Sequence, residues 1–292
     1  MTGGGRCLAV LRAGLLTTVQ DLGRVGFAHL GVPRAGAVDP PALTLANRLV
    51  GNPPQAAGLE ITLTGCTLRF NHATIVAVAG APATVLRVDL RPVDMYVPVP
   101  VLAGRVVHIG PTRAGLRTYL AVAGGIDVPA ILGSRSTDTL AKLGPAVVRD
   151  GDVLPVGRPS GTPAGVWFMP FPSPARPPLR LRIRLGPRDD WFTPAALRLL
   201  TTETYRVSPM TDRVGVRLLG SALTRLSAGE LQSEGVVLGA VQVPANGVPL
   251  VFLADHPTLG GYPVVAVVDE SDLPLLAQAR PGTPVNFRLR GR

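Results

Sequence analysis

The run LRLRIRL at 179–185 decides the fold class. Leu179, Leu181, Ile183 and Leu185 fall on one side of an extended chain; Arg180, Arg182 and Arg184 fall on the other. A period of two with charge on one side is the pattern of an antiparallel strand with one face in water. LEITLTGCTLRF (59–70), RTYLAVAG (117–124), VVLGAVQV (236–243) and VNFRLR (285–290) read the same way.

Helix signals are few. In DPPALTLANRLVGN (39–52), Asp39 is placed to cap, Pro40 opens the first turn, Leu43, Ala46 and Leu49 share a face, and Gly51 stops the helix. TPAALRLL starts on Thr193 and Pro194 in the same manner, and SDLPLLAQA runs from Ser271 to just before Pro281. The chain therefore reads as mainly β with a few short helices. The 34 glycines and 30 prolines are spread along its 292 residues, which fits many turns and argues against a collagen-like or disordered chain. PSGTPAGVWFMPFPSPARPP (159–178) holds seven prolines, and proline cannot donate to a ladder. The stretch reads as a linker, dividing the chain into domains 1–170 and 171–292. RVGFAHLG from Arg24 and RVGVRLLG from Arg213 each follow an aspartate, Asp21 or Asp212, and suggest an internal duplication.

The net charge of +10 raises nucleic acid as a partner, but the basic residues are scattered arginines and one lysine, Lys142, and aromatics are only 4%. Without a basic run or stacking residues, an anionic substrate or an acidic protein partner is the better use of that charge. Cys7 and Cys66 are too few for a zinc set and read as small apolar fillers. The N-terminal MTGGGRCLAVLRAGLL is broken by Arg12 and does not read as a signal peptide, and no apolar run nears the roughly 20 residues that span a bilayer. The expectation is a soluble, cytoplasmic protein without a membrane partner. A mean hydropathy of +0.31 beside 16% charged residues predicts a sizeable permanent interface.

Several chemistries lack their motifs. There is no phosphate loop of the G-x-x-x-x-G-K type and no G-x-S-x-G elbow. His29, His72, His108 and His256 form no metal-binding pair, so no metal is expected. No Met-Lys-Met tripeptide is present to carry biotin.

Three polar, glycine-rich stretches remain: TTVQDLGRVGFAHLG (17–31), MTDRVGVRLLG (210–220) and GAVQVPANGVPLVFLADHPTLGGYP (239–263). Glycine turns expose N–H groups that bind anions, and arginine there can grip a carboxylate or phosphate. Asp21 with Arg24 and Asp212 with Arg213 read equally as structural pairs fixing turns. Asp39 is explained as a cap, and Tyr262 reads equally as a packing aromatic.

GLLTTVQDLGRVGFAHLGVPRAGAVDPPALTLANRLVGN, LEITLTGCTLRF, GLRTYLAVAGGIDVPAILGSRSTDT, TDRVGVRLLG, SEGVVLGAVQVPANGVPLVFLADHPTLGGYP and LAQARPGTPVNF together resemble the allophanate hydrolase subunit 2 family. That family is also called biotin-dependent carboxyltransferase-like and includes the C component of 5-oxoprolinase. The resemblance runs from about Leu8 to Phe287. It implies two cyclophilin-like β-barrel halves, and a heterocomplex with a B-type protein and an A-type protein of the same enzyme. It implies ATP-dependent opening of the lactam 5-oxoproline to glutamate, with ATP a cofactor of the complex. It also implies kinship with the carboxyltransferase domain of urea carboxylase, and with antagonists of kinase inhibitors, which are regulators. Where relatives read Asp-x-Gln-Thr-Thr-Gly-Gly-Tyr, this chain has Pro257 for the Gln and Leu259 for the second Thr; Asp255, Thr258, Gly260, Gly261 and Tyr262 match.

Opening a lactam, or moving a carboxyl group to an amide, needs a polarised amide oxygen and a stabilised anion. Asp21, Arg24, His29 and Asp255 are the candidate catalytic residues, the two aspartates and the histidine as proton carriers. Gln20, Asn47, Arg213, Gln242, Thr258, Gly260, Gly261 and Tyr262 are candidates for holding a small amide or lactam. Between the paired arginines, Arg24 is expected to line the cleft with Asp21 and His29, and Arg213 chiefly to brace its turn.

Overall fold

The structure, a computed structural model, describes residues 5–165, 175–226, 229 and 231–290. The chain forms two compact units. The first holds 1–24, 35–138 and 142–174; the second holds 25–34, 139–141 and 175–292. The second unit thus takes in 25–34 and 139–141 from within the expected first domain, and residues 166–174 of the proline-rich 159–178 lie outside the described ones.

In the first unit the strands form two antiparallel sheets. One runs, edge to edge, Val153–Pro155, Cys7–Arg12, Cys66–Phe70, Val106–Ile109, Leu86–Val88, Arg91–Pro92. The other runs Leu16–Gln20, Gly58–Thr62, Arg117–Val122, Thr74–Gly80, Val99–Val101. Leu8, Leu68, Phe70 and Val107 of the first sheet share one core with Leu59, Ile61, Val78 and Leu120 of the second. The alternation in 59–70 belongs to two strands, parted by a turn in which Leu63 and Gly65 have positive φ.

The helix Pro40–Leu49 starts on the Asp39 cap, whose carboxylate accepts from Ala42 N at 3.2 Å. It packs on Arg117–Val122 and Thr74–Gly80, with Ala42 and Leu43 against Ala37 and Tyr119. This cover explains why Arg117–Val122 is buried along its whole length, where alternation alone predicts one wet face. Beneath the helix, Tyr119 Oη donates to Glu60 at 2.7 Å and accepts from Asp39 N at 2.8 Å. Burial, then the Glu60 and Asp39 charges, hold the Tyr119 phenol well above its ordinary pKa.

In the second unit seven strands close a barrel: Leu179–Leu185, Val264–Val268, Ala240–Gln242, Leu250–Phe252, Gly215–Leu219, Tyr205–Val207 and Pro284–Leu289. All neighbours pair antiparallel except the closing pair, Leu179–Leu185 with Pro284–Leu289, which is parallel from Leu179↔Val285 to Ile183↔Leu289. The alternation holds in the barrel from Leu179 to Ile183: Leu179, Leu181 and Ile183 are buried and the three arginines face out, but Leu185, expected on the buried face, is exposed at the strand's end. The helix Pro194–Thr202 is capped by Thr193, whose hydroxyl accepts from Ala196 N at 3.1 Å, and it packs on Pro284–Leu289. Among the described residues no helix is long and apolar enough to cross a membrane.

The duplication suggested by the two R-V-G stretches does not extend to conformation. After Arg24 the chain makes a turn and the 3₁₀ helix Ala28–Leu30; after Arg213 it enters the strand Gly215–Leu219. Shared glycine and arginine spacing marks two tight turns with different continuations.

Candidate functional site

Each unit holds a buried polar cluster around one of the paired arginines. In the first, the strand Leu16–Gln20 ends at Asp21, whose carboxylate gathers the run 134–136. It accepts from Ser134 Oγ at 2.7 Å, Ser136 Oγ at 2.6 Å, Arg135 N at 2.6 Å and Gly23 N at 2.7 Å. Four donors on one carboxylate make a preorganised anchor. Arg24 is not paired with Asp21. Its Nη2 donates to the Ser136 carbonyl at 2.6 Å, its Nε lies 3.5 Å from the Ile131 carbonyl, and its side chain is enclosed.

The Arg24 Nη1 has no hydrogen-bond partner among the described residues, nor have Gln20 Oε1 and Thr137 Oγ1, and all three are buried. Gln20 Nε2 donates to the Thr18 hydroxyl and to the Thr137 carbonyl, both at 3.0 Å, which ties Gln20 to Thr137, while Arg24 grips the carbonyl of the adjoining Ser136. Gly144 borders the cluster with φ +81°; a Cβ there would sit 2.0 Å from the Ser136 carbonyl oxygen and 3.0 Å from Arg24 Nη2. Only glycine fits that approach.

In the second unit Arg213 grips Asp255 with two prongs, Nε to Oδ2 at 3.0 Å and Nη2 to Oδ1 at 2.9 Å. Thr139 adds its N–H at 2.9 Å and its hydroxyl at 2.6 Å to Asp255 Oδ2. Asp212, by contrast, braces the turn, accepting from Val214 N and Gly215 N at 2.8 and 3.1 Å. Arg213 is thus tied across 42 residues to the third polar stretch.

The sequence model of the carboxyltransferase domain, subdomain A and B, matches residues 30–289. The chain belongs to this carboxyltransferase-domain family. It is 40% identical over 286 residues to the C component of 5-oxoprolinase from Escherichia coli, covering 96% of this chain and 90% of the relative. It is 33% identical to the C component of 5-oxoprolinase from Haemophilus influenzae, over 92% of this chain and 87% of that one. Among solved structures, the Kluyveromyces lactis urea carboxylase superposes on all of this chain with a TM-score of 0.92 at 29% identity, through 28% of its own length.

The carboxyltransferase-domain chain distributes the sequence candidates over both units. Gln20, Asp21 and Arg24 meet in the first-unit cluster, while His29 belongs to the second unit, exposed on the 3₁₀ helix Ala28–Leu30. Asn47 is committed elsewhere. Its Nδ2 donates to the Pro54 and Ala56 carbonyls at 3.3 and 2.7 Å, and its Oδ1 accepts from Asn52 at 3.1 Å. Both amide hydrogens are spent on the loop after the helix, so Asn47 holds backbone and offers a substrate no donor.

Gln242 donates to the Tyr262 carbonyl at 3.0 Å, and a Cβ on Gly260 would come within 2.7 Å of its Nε2. Tyr262 is 47% exposed, with the Arg225 guanidinium 5.9 Å from its ring centre. Thr258 gives its carbonyl to Val236 N, and Gly260 pairs with Glu234 in a two-strand ribbon; Gly261 is exposed beside it.

The residues missing from the sequence reading are Ser134, Ser136, Thr137 and Thr139. Their signal was four hydroxyls in six positions, SRSTDT, between Gly133 and Gly144. Among the described residues no group of three or more His, Cys, Asp or Glu could hold a metal ion.

Proposed function

We propose that this chain is the C component of an ATP-dependent 5-oxoprolinase, which hydrolyses the lactam of 5-oxoproline to glutamate together with A-type and B-type partners. The observation that carries the reading is the match, over nearly the full length of both chains, to two proteins named as that component of 5-oxoprolinase. ATP acts at the level of the complex, and the chain is inactive alone.

In this reading the first-unit cluster meets the substrate. The free N–H of Arg24 Nη1 and the Thr137 hydroxyl donate to the lactam oxygen or the carboxylate, and Gln20 Oε1 accepts from the ring N–H. The cluster is closed in this structure, Arg24 being 2% exposed, so the substrate enters when the 134–138 run yields. The test is reconstitution: purified A-, B- and C-type proteins with ATP and 5-oxoproline should form glutamate. Formation at the same rate without this chain overturns the proposal.

A carboxyltransferase acting with a separate biotin carrier is the second reading, supported by the family and by the likeness to urea carboxylase. Carboxybiotin turnover on a small amide, with no glutamate from 5-oxoproline, would favour it.

A further inference from the structure

The strand that decides the fold leaves an unbalanced surface. Arg180, Arg182 and Arg184 point outward from Leu179–Leu185, about 6.6–6.8 Å apart at every second residue. The parallel register sets Arg288 opposite Arg182, about 4.8 Å away across the ladder, and Arg290 N bonds to the Ile183 carbonyl one pair further on. Like charges facing each other across a ladder destabilise it.

Acidic residues relieve only part of this face. Asp272 holds Arg182, and Asp269 lies within 4 Å of Arg182, Arg184 and Arg290. Arg180 and Arg288 are exposed, and neither has an acidic side chain at ion-pair distance among the described residues. Beside Arg180 opens a cavity of 390 Å³ whose lining is largely apolar: Pro177, Pro178, Leu179 and Leu275, with Arg176 as a second cation.

We propose that this face of the barrel is a docking surface for an extended acidic segment of a partner protein. Its carboxylates, at alternate positions, meet Arg180 and Arg288, and an apolar side chain enters the cavity. Arg288 stands one strand across and two residues along from Arg180, about 8 Å away, a step that long carboxylate side chains at alternate positions of an extended chain can span, and arginine's fork suits carboxylates. The barrel is closed, so the partner reads side chains and adds no strand.

The test uses the whole chain and two labelled peptides of one composition, one with glutamate at every second position between leucines and valines, the other with its glutamates in a block. Fluorescence anisotropy should show the alternating peptide binding about tenfold more tightly, and R180E/R288E losing at least that factor. R217E, which reverses another exposed arginine on the strand Gly215–Leu219, should keep the affinity. R180M/R288M, lacking charge but keeping bulk, should lose binding too and should melt no lower than the parent.

Equal binding of the two peptides, or equal loss in R217E, reduces the effect to general attraction and overturns the proposal. Displacement of the peptide by a DNA duplex at lower concentration overturns it in favour of nucleic acid. A self-association abolished by R180E/R288E, with no peptide binding, overturns it in favour of a second copy of the chain.

Discussion

Arg24 and Arg213 are each 2% exposed, yet one is neutralised and the other is not. Arg213 sits in a two-pronged pair with Asp255, and Thr139 fills a remaining carboxylate site. Arg24 touches only carbonyl oxygens and keeps one N–H free. Among the described residues no carboxylate stands within ion-pair distance of it, although Asp21 is three residues away. A buried cation without a counter-ion is costly. The difference separates a neutralised ion pair from a buried charge with an unpartnered N–H, which under the proposed function is the group that meets the ligand.

The largest effect expected from this comparison is on stability. Asp255→Ala strands Arg213 in the core and should cost about 3–5 kcal/mol in denaturant unfolding. A loss under about 1 kcal/mol would mean that the pair carries little of the fold and would erase the contrast with Arg24.

Next comes activity. Arg24→Met keeps volume and removes the uncompensated charge, so the variant should melt near the parent. Turnover in the reconstituted complex should fall by about 2–4 kcal/mol, roughly 30- to 1000-fold. A variant that unfolds while its residual folded fraction keeps full specific activity would assign Arg24 to structure.

Gly144→Ala sharpens the same contrast from outside the arginine. The new Cβ pushes on the Ser136 carbonyl that Arg24 grips, and φ +81° adds strain. It should destabilise by more than about 1 kcal/mol and lower turnover, while leaving the Arg213–Asp255 cluster intact. Unchanged turnover would show that the grip on Ser136 is dispensable.

The smallest effect is an ion pair at the surface. The hydrogen bonds from Arg182 hold the Asp272 carboxyl below its ordinary range. A lowered folded-state pKa means that this stabilisation is complete above the unfolded value near about 3.9 and fades as pH falls through the folded value. Because the Arg182 side chain is 52% exposed, solvent screens the pair and its contribution should be the smallest of these effects. The gap in melting temperature between the parent and Arg182→Met should be constant down to about pH 4 and narrow as the pH falls further. A gap that stays constant throughout would dissociate the pair from the acid sensitivity.

Local patterns were legible where local physics decides. The Asp39 and Thr193 caps and the Gly51 stop mark the helices they indicate, and the period of two in 179–185 became a strand, antiparallel on one edge as expected and parallel on the other. Alternation misjudged Arg117–Val122 because a helix covers its second face, which no pattern within the strand records. The candidate site was legible in part. Asp21, Arg24 and Asp255 stood out by residue type among glycines, but their partners lie 107 to 116 residues away for the bonds to the 131–139 run. Pairings across such separations depend on topology. The same limit hid the pairing of Arg213 with Asp255, 42 residues further on.

The parallel seam between Leu179–Leu185 and Pro284–Leu289 also orders events in time. It joins the first strand of the barrel to the last, the widest sequence separation of any strand pair in the barrel. Contacts of that span form late because the intervening loop must first be closed. During synthesis the first strand leaves the ribosome with one edge open, and it stays open until its parallel mate has emerged. A nascent barrel of this kind therefore offers an unsealed edge for most of its own translation, the period in which a chaperone or a wrong strand can reach it.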